Sequence, residues 1–289
     1  MKADLRCLVC CKNKVNSLMK QYEIERDLQD EIIKKIDVIL SNCEELEAPV
    51  ILAKALGILE DRTGIRNAYA KAKQKYNEIL MKLEPEIERR CREAENPLEL
   101  GIRYALIGNY IDFGAMEEVD EEKLYELLGK ADILELDTQE MDYIQKDLST
   151  AKKLVYITDN AGEIVLDRVL VKIVHLLFPK LEIAVLVRAY PVLNDATLED
   201  AVWVGLQDFA KVITNGTQIP GTVIEKLPQK AEQWVDSADL ILAKGQGNFE
   251  TLHGCNRNIY YLFLCKCDLF VDRFGVERFT PVIRNEKRI

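Results

Sequence analysis

From Lys152 onward the chain alternates short apolar runs with stretches of helical periodicity, and no other feature restricts its fold as much. The apolar runs cover residues 154–157, 183–187, 212–214, 240–243 and part of 259–270, and the helical stretches between them cover 163–178, 198–209, 229–235 and 249–260. Runs that are apolar throughout suit strands of a parallel sheet, because crossover helices bury both faces. The alternation therefore predicts a Rossmann-like, three-layer α/β domain with a mainly parallel sheet over residues 151–289. Before it, over 13–147, apolar residues recur at helical spacing, as in Ile24, Leu28, Ile32, Ile36 and Ile39 with charges between them. Further helices are expected at 65–92, after Asn96 and Pro97, where proline suits a first turn, and at 121–128. Residues 1–150 thus read as an α-helical N-terminal domain, with the charge-rich face of 71–92 in solvent.

In such sheets ligands bind outside the carboxyl ends of the strands. The first run ends at Asp159 and Asn160, and the second is followed by Arg188 and then Asn194 and Asp195. If these strands are neighbours, two carboxylates and a carboxamide, completed by water, offer a partial shell for a divalent cation such as Mg or Mn. The third run leads into Gly216, where small residues let backbone N–H groups approach an anion. The fourth ends in Lys244, Gly245, Gln246 and Gly247, a cation and two glycines opening a helix, which suits phosphate. It is not a P-loop, since the lysine precedes the glycines. The last run brings Lys266 to the same edge. Each element alone could be a helix cap; acids at two strand ends and lysine at a later one carry the argument jointly. Asp159 and Lys244 are the expected catalytic groups, and Lys244, Gly245, Asn194, Arg188 and Gly216 the expected phosphate contacts. Glu163 and Glu250 either support the site from behind or simply complement a helix dipole.

A chain of 289 residues that is 48% hydrophobic can bury a full core, and its net charge of -10 argues against a broad nucleic-acid or anionic-membrane surface. A phosphate ester would then need local positive charge or a bound cation. Asp167, Arg168, Lys172 and His175 interrupt the apolar stretch at 164–178, so no membrane span is expected there. The opening residues Met1 to Arg6 have no apolar segment behind them, so no secretory signal is visible. Eight cysteines then read as reduced thiols, and the cytoplasm is the expected compartment. Cys7, Cys10 and Cys11 cannot complete a zinc site without Cys43, Cys91 or another chain. His175 is expected in the core or at its boundary, and His253 near the Lys244 loop. Nothing in the sequence supports a Ser-His-Asp or Cys-His nucleophile arrangement.

Taken as an ordered set, the segments Asp159-Asn160-Ala161-Gly162-Glu163, Asn194-Asp195-Ala196-Thr197 and Lys244-Gly245-Gln246-Gly247-Asn248-Phe249-Glu250 resemble the metal-dependent damage-control phosphatases, once described as acidic-residue methyltransferase-like proteins. Cys7-Leu8-Val9-Cys10 resembles the CxxC of their mainly prokaryotic branch. The resemblance implies a helical domain joined to a Rossmann-like one, with Mn, Co, Ni or Mg on Asp159, Asn160 and Asp195. It implies Lys244 near the substrate phosphate, and sugar phosphates or damaged and surplus phosphometabolites as substrates. Asn215-Gly216-Thr217-Gln218 departs from the Ser/Gly-Asp loop expected there. Water or Asp159 is the nucleophile. The competing readings are an S-adenosylmethionine-dependent carboxyl methyltransferase, which usually needs a more glycine-rich first turn, and a non-catalytic metal or redox sensor built on the cysteines.

Overall fold

A computed structural model describes residues 1–114 and 119–289. The chain opens with helices α1 (Leu5–Gln21), α2 (Arg26–Leu40), α3 (Ala48–Thr63), α4 (Ala70–Glu93), α5 (Pro97–Gly108), α6 (Glu121–Gly129) and α7 (Thr138–Thr150). It continues as β1 (Lys153–Ile157), α8 (Glu163–Leu177), β2 (Glu182–Val187), α9 (Leu198–Trp203), β3 (Lys211–Thr214) and α10 (Gln229–Ser237). The last elements are β4 (Leu240–Lys244), α11 (Gln246–Leu252), β5 (Ile259–Leu264), α12 (Asp268–Phe274) and β6 (Pro281–Asn285). The six strands form one sheet in the order β3-β2-β1-β4-β5-β6, parallel except for β6, which runs antiparallel to β5. Between β1 and β4 the order reverses, which opens the crevice where doubly wound sheets bind ligands.

Side chains alternate across the sheet, and both faces are covered. Leu154, Tyr156, Leu240 and Leu242 pack with Ile164 and Leu170 of α8 and with Tyr104 of α5. Val155, Ile157 and Ile241 face Phe249 of α11 and Phe270 of α12. The five parallel strands lie where the apolar runs were expected. The fourth helical stretch is displaced, however: α11 begins at Gln246, and 259–260 belong to β5. α12 and the antiparallel edge β6 are additional elements.

The expected separation at residue 150 is not a boundary between cores. Leu80, Ile87, Leu124 and Ile144, from α4, α6 and α7, belong to the same apolar cluster as α8 and the sheet. The physical reason is that β1 and β4 need a cover on that face, and α4 and α5 complete it with α8. Helices α1 to α3 do group by themselves, around Val15, Ile32 and Ile51, with Val192 and Leu193 from the segment after β2 joining them. Nor is the face of α4 all solvated. Lys73, Asn77 and Glu84 are buried; Lys73 pairs with Asp200 at 2.7 Å, and Glu84 accepts from Lys172 at 2.8 Å. Among the described residues, no helix is long and apolar enough to cross a membrane.

Candidate active site

Two loops meet at the crevice. After β1 the chain turns through Asp159 and Asn160, and after β2 it returns through Asn194 and Asp195. The loops are tied by backbone bonds from Ala196 N to Asp159 O at 2.7 Å and from Ala161 N to Asn194 O at 2.8 Å, and Asn160 bridges Asp195 in antiparallel fashion. Asp159, Asn160 and Asp195 therefore stand side by side, and all three line a cavity of about 390 Å³.

Each of the three commits one polar atom to the protein. Asp159 Oδ2 accepts from Asn109 Nδ2 at 3.0 Å and from Asn160 Nδ2 at 2.7 Å. Asp195 Oδ2 accepts from Arg188 Nε at 2.6 Å. Asn160 Nδ2 also donates to Glu163 Oε2 at 2.9 Å. What remains is Oδ1 of Asp159, Oδ1 of Asp195 and the carbonyl oxygen of Asn160, three oxygens suited to a hard or borderline cation. Among the described residues no three His, Cys, Asp or Glu side chains gather as a metal-holding group; the third donor here is a carboxamide.

Electrostatics favour a cation at this point. The Asp159 carboxyl is held well above its usual range, first by burial and then by the charges of Glu163, Asp195 and Asp112. Asp195 is pushed up to about 6, burial outweighing its ion pair with Arg188 and Asp112 adding to the rise. Carboxyls crowded and desolvated in this way ionise readily only when a positive charge joins them.

The switch-point crevice also explains Gly245. Its φ is +80°, and a Cβ there would lie 2.1 Å from Asp159 Oδ2, so only glycine lets Asp159 occupy its position. Gln246 and Gly247 line the cavity beside it.

Several expected phosphate contacts have other tasks. The Lys244 side chain is completely buried; Nζ donates to Glu163 Oε1 at 2.5 Å, Asp167 Oδ1 at 2.8 Å and Ala105 O at 2.8 Å. Strand β4 turns it down behind the carboxylates, so it anchors Glu163, which in turn holds Asn160. Glu163 is accordingly buried rather than an exposed first-turn glutamate. Arg188 is likewise buried beneath Asp195, with its Nη2 3.9 Å from Asp159 Oδ1 and lacking a hydrogen-bond partner among the described residues. Asn194 accepts from Phe113 N at 3.1 Å and donates to Ile111 O at 3.2 Å, pinning the segment after α5 to the loops. Gly216 faces Pro228 and does not line the cavity. His253 stacks on Phe249 and also lies outside the lining, while His175 is exposed at the end of α8.

Arg6, Lys14, Lys266 and Arg278 bring positive charge to the cavity wall, and Lys266 is paired there with Asp112 at 2.6 Å. Asn109 and Asp112 were not anticipated. They follow an apolar helix whose packing gives no sign of a site, although a polar pair directly after α5 was the available signal. Cys7, Cys10 and Cys11 of α1 and Glu250 of α11 also line the cavity. Burial pushes Cys7 up to about 12, with the charge of Glu250 second. All eight cysteines are free; Cys43 packs with Cys11, and Cys91 lies in the core shared by α4 and α5.

The family model described as the damage-control phosphatase ARMT1-like domain matches residues 3–282. The chain belongs to the damage-control phosphatase family. A damage-control phosphatase of Pyrococcus horikoshii is 30% identical over 99% of this chain and 99% of its own length. A second, from Archaeoglobus fulgidus, is 32% identical over 74% of each chain, and an uncharacterized protein of Methanocaldococcus jannaschii is 31% identical over 96% of this chain and 93% of its own. The crystal structure of a DUF89 family protein from P. horikoshii superposes with a TM-score of 0.86 at 27% identity, covering 99% of both chains. The family name supports a phosphatase role for this fold.

Proposed function

We propose that the chain hydrolyses small phosphate monoesters, sugar phosphates or damaged and surplus phosphometabolites, with a divalent cation (Mn, Co, Ni or Mg) held by Asp159, Asn160 and Asp195. The observation that carries this reading is the set of three oxygens left uncommitted at two joined βα loops, on the floor of a cavity with Lys266 in its wall. Family membership supports the reaction class.

Phosphate monoesters hydrolyse so slowly that charge neutralisation and positioning must supply most of the acceleration. When bound, the cation supplies Lewis-acid stabilisation of a phosphoryl oxygen and a lowered pKa for a water. The protein's share is preorganisation. Asn109, Asn160 and Arg188 fix the carboxylates from behind, so that their free oxygens need not reorganise during reaction. Lys266 offers its ammonium to the phosphoryl group, held in the wall by Asp112. Pro49, Leu52 and Leu269 give the cavity an apolar share that restricts water around the ester.

Purified protein should hydrolyse p-nitrophenyl phosphate or a sugar phosphate on addition of one of these cations, and Asp159→Ala and Asp195→Ala should each abolish it. Undiminished turnover in both variants would remove the assignment.

A further inference from the structure

Glu250 stands out among the carboxyls around the cavity. Asp112 is paired with Lys266, Asp195 with Arg188 and Asp268 with Arg278, and Asp159 accepts from two carboxamides. Among the described residues, Glu250 is the one cavity-lining carboxyl whose side chain has neither a hydrogen bond nor a salt bridge. Its backbone is fixed: the carbonyl accepts from the Met1 amine, and α11 follows directly on the Gly245 turn that seats Asp159. A carboxyl that lines the same cavity as Asp159 and Lys266 without a hydrogen bond or salt bridge of its own, with the Met1 amine as the charge acting on it, is placed to give up a proton.

We propose that Glu250 is the general acid of the reaction, protonating the leaving oxygen of the phosphate ester; this rests on the phosphatase reading above. The bond between phosphorus and the ester oxygen breaks and its electron pair stays on that oxygen, which takes the Glu250 proton and leaves as an alcohol. A new phosphorus–oxygen bond forms with water, whose released proton returns to the carboxylate through solvent. The environment keeps the proton available. Burial pushes Glu250 up to about 7, opposed by the Met1 amine. The ionisable groups around it are that amine and the thiols of Cys7, Cys10 and Cys11, all three raised chiefly by burial; the cations Arg6, Lys14, Lys266 and Arg278, the carboxyls Asp112, Asp159, Asp195 and Asp268 and the Cys267 thiol line the same cavity. None of the thiols supplies a competing cation.

General-acid help matters in proportion to how poor the leaving group is, and its removal typically costs about 10²–10⁴-fold. Glu250→Gln should therefore lower kcat on an alkyl ester such as glycerol phosphate by about 100-fold or more, and on p-nitrophenyl phosphate, whose phenolate departs unprotonated, by less than about 10-fold. Equal losses on both esters would overturn the proposal, leaving Glu250 a packing residue. Wild-type protein that hydrolyses both esters while the variant loses them equally sinks only this role; wild type inactive on both with Mn, Co, Ni and Mg sinks the phosphatase reading itself.

Two measurements on the unmutated chain guard against a variant that fails to fold. The alkyl-to-aryl rate ratio should fall as pH rises through about 7, whereas parallel profiles would contradict the role. Carbon-detected NMR of metal-free protein should give Glu250 a midpoint near 7, and a midpoint at the ordinary 4.5 would overturn it.

Discussion

Replacing Lys244 by methionine distinguishes an anchoring lysine from a phosphate-binding one. The substitution keeps length and volume but removes the charge that faces Glu163 Oε1 at 2.5 Å and Asp167 Oδ1 at 2.8 Å. Both partners are fully buried, so no water replaces the ammonium. Breaking a buried pair from one side costs about 3–5 kcal/mol, because uncompensated charge remains. Asp167 moderates that figure: burial already lifts it to about 6, despite Lys244, so it takes up a proton when the lysine is lost. For a chain of this size each kcal/mol lowers Tm by about 2 °C, so the unmoderated figure sets an upper bound of about 6–10 °C on the fall by calorimetry on metal-free protein at neutral pH. Adding Glu163→Gln removes one stranded charge and should restore at least about half of the loss. An unchanged Tm, with damage confined to phosphate-ester binding, would place Nζ in the cavity and refute this geometry.

Gly245→Ala forces a Cβ into Asp159 at a φ of +80°, a backbone region that costs a non-glycine residue about 1–3 kcal/mol; turnover should fall by more than about 100-fold while the chain stays folded by circular dichroism, and near-wild-type turnover would contradict the close approach. Metal-free protein should lose stability as pH rises from about 4.5 to 7. The folded chain retains protons on Asp167, raised from 3.8 to about 6, and on Glu250, raised from 4.5 to about 7, that the unfolded chain has released. Urea midpoints that climb across this window would reverse the sign. Cys7, pushed up to about 12 by burial, should react with iodoacetamide at neutral pH at least about tenfold more slowly than a free thiol, as read by mass spectrometry, and rapid labelling would restore a redox reading of the CxxC.

The sheet was legible because apolar runs long enough for strands and helical stretches long enough for crossovers leave few other arrangements. The edge strand β6 was not, since Pro281-Val282-Ile283-Arg284-Asn285 mixes apolar and polar residues at one margin of the sheet. That Asp159, Asn160 and Asp195 come together was legible from the strand ends: Asp159 and Asn160 follow β1 directly, and Asp195 lies on the longer segment after β2 that returns to them. Lys244 shows where that logic stops. Side chains change face with every residue of a strand, so one step at the end of β4 decides whether a lysine points into the crevice or beneath it. Asn109 and Asp112 depend on how α5 packs across the sheet, a long-range contact that no local pattern encodes. The burial of Lys73 and Glu84 has the same origin, as their partners Asp200 and Lys172 lie about a hundred residues further on.

The central claim is that Asp159, Asn160 and Asp195 share one cation. Anomalous diffraction from crystals grown with Mn tests it most directly. A single anomalous peak within about 2.0–2.4 Å of one oxygen from each of the three side chains is the expected result. A peak at the Cys7 and Cys10 thiols with none between the two aspartates would contradict the account.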